Sequence, residues 1–355
     1  MTTQNFLEIK NQSEWQALFN KALFKTFFHQ PEWESFLESQ FKWLGFKHYL
    51  WRDELLLSLA EVSFGRGRKK FVSHPFCEYG GPLPLTTGID FEQFKQDLFN
   101  DFQGQAIKIS FHPAISSLFS SSPSLLSPIP PFRSLFPPSP PISPISPSAR
   151  RTFFVENLQQ KTERELWLSL RKTTQQEIEK AQKNNLTVAK CENQKELNAF
   201  YRLYLAKARE HKIPAYPCCF FEYFFNSPQA EIILAKSGNK VIAGSVFLFY
   251  DKCIHYFLNA SSREGATKRA NHLILWEQMK KYCGQGKIFD LGGTRVGSPL
   301  EVFKKGWGSD PQPIVELSNT PAGASRRASK LRILWGFLPL GLIEKLSPRL
   351  LKYKF

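Results

Sequence analysis

The pattern of apolar and polar positions changes period repeatedly along the first 112 residues. Alternation predicts strands, and apolar residues three or four apart predict helices. Glycine pairs and charged turns separate the predicted elements, and Gly80-Gly81 allows the backbone to approach another group closely. The pattern therefore predicts a mixed α/β unit with a strand at Phe6–Ile9, helices around Trp15, over 31–41 and over 90–102, a hairpin of 47–51 with 55–64, and a strand at 107–111.

A second patterned stretch begins at Arg151. Thr162 with Glu165 and Thr174 with Glu177 have the spacing of capping boxes, and Gly238-Asn239 predicts a two-residue hairpin turn. The predicted elements are a strand over 152–158, helices after the two capping boxes, a strand over 186–189, a helix over 195–211, an aromatic segment over 220–225, strands over 231–236, 241–250 and 253–259, a helix over 268–283, and a strand over 287–291. Helices, three consecutive antiparallel strands, a helix, a strand and a helix follow the order of a GNAT acyltransferase.

Between the two stretches, residues 113–148 contain 11 prolines, 12 serines, no glycine and one charge, Arg133. Proline removes backbone donors and fixes φ, so we expect polyproline II or disorder here. The tract is interpreted as a low-complexity linker or insertion, with a proline-rich binding motif as the alternative.

The richest candidate chemistry lies between Lys287 and Gly308. The apolar run ends at Asp290, Gly292 and Gly293, which predicts a buried strand that stops at a turn. Ser298-Pro299-Leu300-Glu301 predicts the start of a short helix. That helix would place Phe303 and Trp307 on one face and Lys304 and Lys305 elsewhere, with Arg295 in the preceding loop. The set suits an anionic or carbonyl-bearing substrate.

Composition narrows the class of partner. The chain has 355 residues and a net charge of +16, from 47 basic and 31 acidic residues. The charge predicts attraction to polyanions, which are nucleic acids, anionic membrane surfaces or phosphorylated substrates. The six cysteines form no CxxC pair, the N-terminus has no signal-peptide pattern, and no apolar run could span a bilayer. We expect a cytoplasmic protein, either soluble or peripheral on the inner face of the plasma membrane.

Five motifs together resemble the FemAB-like (FemABX) family of the GNAT superfamily. Arg171-Lys172 precedes Ile178-x-x-Ala181-x-Lys183, and Phe289-Asp290-Leu291-Gly292-Gly293 and Phe303-Lys304-Lys305-Gly306-Trp307 are similar to the family's "FDFG" and "FKxxW" elements. His29 to Trp33 and Pro75 to Gly81 resemble its N-terminal signatures. The resemblance implies an α/β protein of two tandem GNAT-like domains, the first degenerate, although no residue-level repeat is visible. The predicted boundaries are 1–112, 113–148, 149–320, and 321–355 for a basic tail.

The resemblance also implies roles for individual residues. Lys304 matches the lysine expected to stabilise the tetrahedral oxyanion or the departing tRNA hydroxyl; a solvated basic face is the alternative for Lys304 and Lys305. Asp290 could act as a base or orient the acceptor amine, or it could cap a turn. Tyr79, inside the second N-terminal signature, joins the candidate substrate contacts.

Other candidates have an open interpretation. Phe303 and Trp307 could form a stacking wall for a base or sugar, although aromatic residues at helical spacing are usually core. Arg171, Lys172 and Arg295 could hold phosphates, or they could be ordinary surface cations. His211, Cys253 and His255 make no recognisable metal set, so we predict no metal and no tightly bound cofactor.

The expected donor is aminoacyl-tRNA or acyl-CoA. Ser262 to Thr267 lacks the glycine spacing of the loop that cradles CoA pyrophosphate in GNAT enzymes, which favours a tRNA donor. The expected acceptor is an amine of a cell-envelope precursor, a peptidoglycan peptide or an envelope glycan. Alternatives are an acyl-CoA-dependent N-acyltransferase of an envelope polysaccharide and a non-catalytic protein that binds tRNA or a membrane.

The C-terminal segment from Arg326 to Phe355 has eight basic residues against Glu344, interleaved with Trp335, Phe337 and aliphatic residues. It is similar to the tail of the exosortase-associated branch of the family. Two short amphipathic helices on an anionic membrane would explain the pattern. The alternative is that the apolar residues pack on the protein while the lysines face water.

Overall fold

The computed structural model describes residues 5–119, 145–155, 158, 161–250, 253–319 and 335–355. The chain divides into two compact units: unit 1 comprises Met1–Arg150, Pro313–Gly323 and Phe355, and unit 2 comprises Arg151–Gln312 and Ala324–Lys354. Most of the predicted proline- and serine-rich tract lies outside the described residues.

Unit 1 is built on a mixed sheet with the strand order β1-β2-β3-β4-β6-β13. Strands β1 to β4 pair antiparallel in sequence order, a helix then crosses over, and β6 pairs parallel to β4. A short strand, β5, pairs with β3. The elements are β1 (Phe6–Ile9), α1 (Gln12–Lys21), α2 (Pro31–Gln40), β2 (Leu44–Trp51), β3 (Leu55–Gly65), β4 (Arg68–Val72), β5 (Leu83–Pro84), α3 (Phe91–Asp101), β6 (Ala106–Ser110) and β13 (Asp310–Ser318).

Unit 2 has the strand order β7-β12-β11-β10-β9-β8. Strands β8 to β11 pair antiparallel in sequence order, and β12 returns parallel to β11 after a helical crossover. The elements are β7 (Ile145–Val155), α4 (Glu163–Ser169), α5 (Lys172–Gln182), β8 (Thr187–Lys190), α6 (Gln194–Glu210), α7 (Cys218–Asn226), β9 (Ala230–Ser237), β10 (Lys240–Tyr250), β11 (Cys253–Ser261), α8 (Arg263–Thr267), α9 (Ala270–Lys281), β12 (Ile288–Arg295), α10 (Pro299–Lys305) and α11 (Leu340–Leu350).

The two units repeat one topology. In each, a strand is followed by two helices, three further antiparallel strands, a helical crossover and a parallel strand. The series β1, α1, α2, β2, β3, β4, α3, β6 corresponds to β8, α6, α7, β9, β10, β11, α9, β12. The predicted mixed α/β fold of two tandem units is confirmed, and the repeat lies in the topology rather than in the residues.

Each unit has its own apolar core. The cores form where one face of the sheet meets the crossover helix and its neighbours. In unit 1 this core includes Phe6, Trp51, Phe94 and Ile109, each almost fully buried. In unit 2 it includes Ile178, Phe247, Ile274, Phe289 and Trp307.

Several local predictions were wrong. Pro113–Leu118 forms a 3-10 helix, because proline at a helix start gives up only an N–H that would be unsatisfied anyway. Residues from Ile145 onward already belong to β7. The predicted capping box at Thr174 does not exist: α5 begins at Lys172, and the Thr174 side chain is buried inside it.

Two further corrections concern the C-terminal part of the chain. Strand β12 does not stop at Leu291 but continues to Arg295, with Gly292 in a left-handed conformation at φ 74°. The sequence analysis also missed β13, which follows α10 and pairs with β6 from Glu316 to Ser318. Pro311 and Pro313 hid this strand, since prolines argue against a strand and only the part after them pairs with β6.

Candidate functional site

Strands β11 and β12 pair over only three positions. The registered pairs are Cys253 with Ile288, Ile254 with Phe289, and His255 with Asp290. Strand β11 nevertheless continues to Ser261 and β12 to Arg295. Among the described residues, the two strands therefore part after His255 and Asp290.

Asp290 lies at the last paired position and is fully buried. Its Oδ1 accepts a hydrogen bond from the Gly292 N–H at 2.8 Å and from the Thr152 hydroxyl at 3.0 Å. The His255 Nδ1 lies 4.0 Å from its Oδ2. The prediction of a strand-end carboxylate is therefore wrong, because Asp290 stands inside β12, where its carboxyl group accepts the amide two residues on.

Lys304 is placed by the short helix α10. Ser298 caps this helix by accepting the Glu301 N–H, and Pro299 takes the first helical position, as predicted. The Lys304 side chain is only 5 % exposed, and its Nζ donates to the Gly293 carbonyl of β12 at 2.9 Å. The Ser309 hydroxyl donates to the Lys304 carbonyl at 2.7 Å. A buried ammonium group is thus held against the strand that carries Asp290.

The neighbouring Lys305 has a different environment. Its side chain is 49 % exposed and forms an ion pair with Glu301 at 2.8 Å. This ion pair and the Gly297 N–H lower the pKa of Glu301. A solvated basic face therefore describes Lys305 but does not describe Lys304.

The aromatic residues of α10 face inward. Trp307 is fully buried, in agreement with the core interpretation, and Phe303 is partly buried against the same core. His272 of α9 stands edge-on to Phe303 with ring centroids 5.2 Å apart. Burial lowers the pKa of His272 to about 4, so this ring is neutral at physiological pH.

The start of α5 contacts the end of α10 through the backbone. The Arg171 N–H donates to the Gly306 carbonyl at 2.9 Å. A Cβ on Gly306 would lie 2.5 Å from the Thr174 Oγ1, and one on Gly308 would lie 2.8 Å from the Ser169 carbonyl oxygen. The two motifs singled out in the sequence, around Arg171 and around Lys304, therefore meet in unit 2.

Three predicted phosphate-binding side chains lie on the surface. Arg171 and Lys172 are exposed at the start of α5, and Arg295 is exposed at the end of β12. Tyr79 lies in unit 1, where it is fully buried and stands edge-on to the His112 ring with centroids 4.4 Å apart. The tyrosine therefore packs in the core of unit 1, and its contact with a substrate stays a prediction.

A basic recess of about 550 Å³ lies where the end of β11, the start of α8 and the end of α6 come together. Its lining includes four cations and one acid, together with Ser262 and the exposed Phe337. The charged residues are Lys207, Arg209, Glu210, Lys212 and Arg263. The recess suits a group that carries phosphate.

The turn into α8 is explained by packing. The Ser262 Oγ accepts the Gly265 N–H at 3.0 Å, which leaves this amide unavailable to a phosphate. A Cβ on Gly265 would lie 2.3 Å from the Ile242 carbonyl oxygen of β10. Gly265 is therefore required by the close approach of α8 to the sheet.

The sequence analysis missed the residues around Asp290. His255 was considered only as a metal ligand, and Thr152 was not considered. Their positions depend on the register of β11 with β12 and on the placing of β7 beside β12, which no local pattern encodes. Among the described residues, no group of three or more histidine, cysteine or acidic side chains could hold a metal ion. Over the same residues, no helix is long and apolar enough to cross a bilayer.

Comparisons with known proteins give a family match to part of the chain and a similar fold. Residues 169–305 match the family described as "Acetyltransferase (GNAT) domain". No curated protein sequence matches the chain.

FemX and L-PGS are among the solved structures that resemble most of the chain. FemX is 13 % identical, with a TM-score of 0.55 over 88 % of this chain and 97 % of that one. L-PGS from Bacillus licheniformis is 12 % identical, with a TM-score of 0.51 over 92 % and 98 %. The matched family segment includes the starts of α5 and β11, all of β12, and Lys304.

Proposed function

Since the chain carries a GNAT-type acetyltransferase domain and has the FemX-like fold of that superfamily, we propose that it transfers an aminoacyl group from a tRNA to an amine of a cell-envelope precursor. The observation that carries the proposal is the buried Lys304 ammonium, fixed on Gly293 beside the point where β11 and β12 part. A donor carbonyl bound at that point would lie between two strands that no longer pair. FemX and L-PGS, whose fold the chain shares, favour an acceptor in the cell envelope.

In the proposed reaction, the acceptor amine attacks the carbonyl carbon of the aminoacyl ester. A carbon–nitrogen bond forms, negative charge develops on the carbonyl oxygen, and the bond to the tRNA oxygen then breaks. A fixed cation stabilises this developing charge more than the ground state, and one such group contributes roughly 10²- to 10³-fold in rate. Lys304 fills that role, because its bond to Gly293 fixes the ammonium before the donor binds.

Asp290 and His255 supply the proton-accepting side of the site. The incoming amine must lose a proton, and the leaving tRNA oxygen must gain one. Asp290 already accepts two hydrogen bonds, which fix the orientation of its carboxyl group. We assign it the orientation of the amine, with His255, 4.0 Å away, as the group through which the proton passes.

The basic recess favours a donor that carries phosphates. It lies at the far end of β11, six residues beyond His255, which corresponds to about 20 Å of strand. A donor bound in the recess with its carbonyl beside His255 and Asp290 would have to span about that length. The terminal nucleotides of a tRNA and the arm of CoA both meet this condition, whereas an acyl phosphate does not.

Two alternatives remain testable. An acyl-CoA donor agrees with the match to an acetyltransferase domain, but the packed Ser262–Gly265 turn offers fewer amides to a pyrophosphate. A non-catalytic binder of tRNA or of envelope glycans would use the same cations. The purified protein should be incubated with an amine-bearing envelope precursor and either labelled aminoacyl-tRNA or labelled acetyl-CoA. We expect label transfer from the tRNA only; transfer from CoA alone would select the acyl-CoA enzyme, and no transfer from either would select the binder.

A further inference from the structure

The C-terminal helix of unit 2 has two faces of different kind. Ile343, Ser347 and Leu351 are four residues apart and buried. On the opposite side, Leu342, Lys345, Arg349 and Tyr353 follow one another at intervals of three and four residues and are exposed. The outer face of α11 therefore carries apolar and basic side chains together.

Helix α11 is attached firmly to the rest of unit 2. The Ser347 hydroxyl accepts the Ala215 N–H at 2.9 Å, and Trp335, just before the helix, donates through Nε1 to the Ile213 carbonyl at 3.0 Å. The helix packs on α6 along its buried face. The inner face of α11 therefore packs on unit 2, whereas its outer face is exposed and could contact a partner.

Large apolar side chains are exposed on α11 and in the segments next to it. Phe337 is 84 % exposed, Tyr353 63 %, Ile213 41 % and Leu342 40 %. A side chain such as Phe337 gains free energy only when a partner removes it from water. The exposure points to a partner with an apolar interior.

The basic side chains of the outer face indicate that the partner carries negative charge. Lys345 and Arg349 are exposed, and neither forms an ion pair within the described residues. The acid of this helix, Glu344, is half-buried beside the inner face. We propose that the outer face of α11, with Phe337, docks on an anionic lipid bilayer, the apolar side chains entering the interface and the cations contacting phosphate headgroups.

Two other partners fit less well. RNA would neutralise Lys345 and Arg349, and a base could stack on Phe337, which also borders the basic recess, but phosphate contacts would leave the exposed Leu342 in water. A second copy of the chain would place cation against cation across a symmetric contact. Docking on a bilayer goes beyond the proposed activity and does not depend on it, since lipid binding requires neither donor nor acceptor.

The test is flotation of the full chain with vesicles of neutral phosphatidylcholine, with and without phosphatidylglycerol. We expect binding to the anionic vesicles that weakens with salt. The double variant Phe337→Ser/Leu342→Ser should lower the partition coefficient at least about 10-fold. Lys345→Gln/Arg349→Gln should lower it about 10-fold or more on anionic vesicles only.

Point variants are preferred to truncation, because removal of the helix would take away the buried Ile343 and Leu351 and expose the surface of α6 on which the helix packs, which would destabilise unit 2. The matched controls are Leu168→Ser, a leucine 68 % exposed on α4, and Arg164→Gln/Lys195→Gln, two exposed cations of unit 2. The controls should bind as the unaltered chain does. Equal binding by the outer-face variants and the controls, or binding of tRNA without binding of vesicles, would overturn the proposal.

Discussion

Units 1 and 2 share one topology but differ at the parallel pair that ends it. In unit 2, β11 and β12 part after His255 and Asp290. In unit 1, the chain after β4 continues to bond along β6: Ser73 donates to the Lys108 carbonyl at 2.9 Å, and Gly80 donates to the Ser110 carbonyl at 3.1 Å.

The segment that fills the corresponding position in unit 1 runs from Ser73 to Gly81. A Cβ on Gly81 would lie 3.0 Å from the Phe111 Cα, so the two backbones touch. The sequence analysis predicted such a close approach for Gly80-Gly81. In unit 1 the chain after β4 stays packed against β6. In unit 2 the two strands part, and a helix with a buried lysine packs on β12.

The two units also differ in where they bury ionisable side chains. Unit 1 buries Glu34 with His48 at 2.7 Å and Ser58 at 2.6 Å, away from any parted strands. Burial raises the pKa of Glu34 and lowers the pKa of the adjacent His74 well below its ordinary value. The serine bonds to the glutamate rather than to a histidine, so this set lacks the order of a nucleophilic triad. A similar topology thus carries a packed polar core in one unit and the candidate site in the other.

The largest effect on stability is expected for Gly80→Ala. The added Cβ would lie 2.4 Å from the Cβ of His74, which is attached to the backbone and cannot rotate away. The segment should move off β6, and the free energy of unfolding should fall by about 3 kcal/mol. Urea unfolding measures this change in the free energy of unfolding. Gly341→Ala is the control, since a Cβ there meets open space within a helix and should be neutral or stabilising.

A loss of stability of similar size is expected at acid pH because of His29. This ring is 2 % exposed, contacts Gly81 and Thr26, and burial lowers its pKa to about 4. The unfolded chain binds a proton below about pH 6.5, and the folded chain binds it only near pH 4. Stability should therefore fall by about 3 kcal/mol as the pH drops through this window. The buried Glu34, whose pKa is raised, opposes the loss.

The pH effect is checked by comparing unfolding curves of the unaltered chain and His29→Gln between pH 7 and pH 4. The variant should lose less stability over that range. An unchanged pH dependence would show that His29 does not supply the acid sensitivity of unit 1.

A smaller effect is expected for Thr152→Val in unit 2. The variant keeps the shape of the side chain but removes a hydrogen bond to the buried Asp290. Unfolding should become easier by about 1–2 kcal/mol, measured by thermal denaturation. Thr187→Val, at an exposed position of β8, is the control. No difference between the two would argue that Asp290 is held by the strand alone.

The smallest effect is expected for Lys305→Met. The Lys305 side chain is half exposed, so solvent screens its ion pair with the buried Glu301, and screened pairs contribute about 0–1 kcal/mol. Stability should change by less than about 1 kcal/mol, and the rate of transfer should change little. A large loss of rate would indicate that Lys305, rather than Lys304, stabilises the developing negative charge.

The sequence predicted the positions of helices and strands better than the contacts between them. Helix α10 was predicted at its first residue, because Ser298, Pro299 and Glu301 are local signals. The continuation of β12 through Gly292 was not predicted, because glycine is a local turn signal, whereas the strand depends on its neighbours β7 and β11. Lys304 was identified from a resemblance to known proteins, while its burial follows from contacts with a strand eleven residues earlier.

Single-turnover transfer by Lys304→Met tests the central claim most directly. Methionine keeps much of the buried stem but removes the ammonium group that is held on Gly293. With the donor that the unaltered chain uses, the rate should fall roughly 10²- to 10³-fold. Circular dichroism should stay unchanged, and Lys305→Met should keep nearly the full rate. A Lys304→Met chain that transfers at the unaltered rate would contradict the assignment of unit 2 as an acyltransferase site built around this lysine.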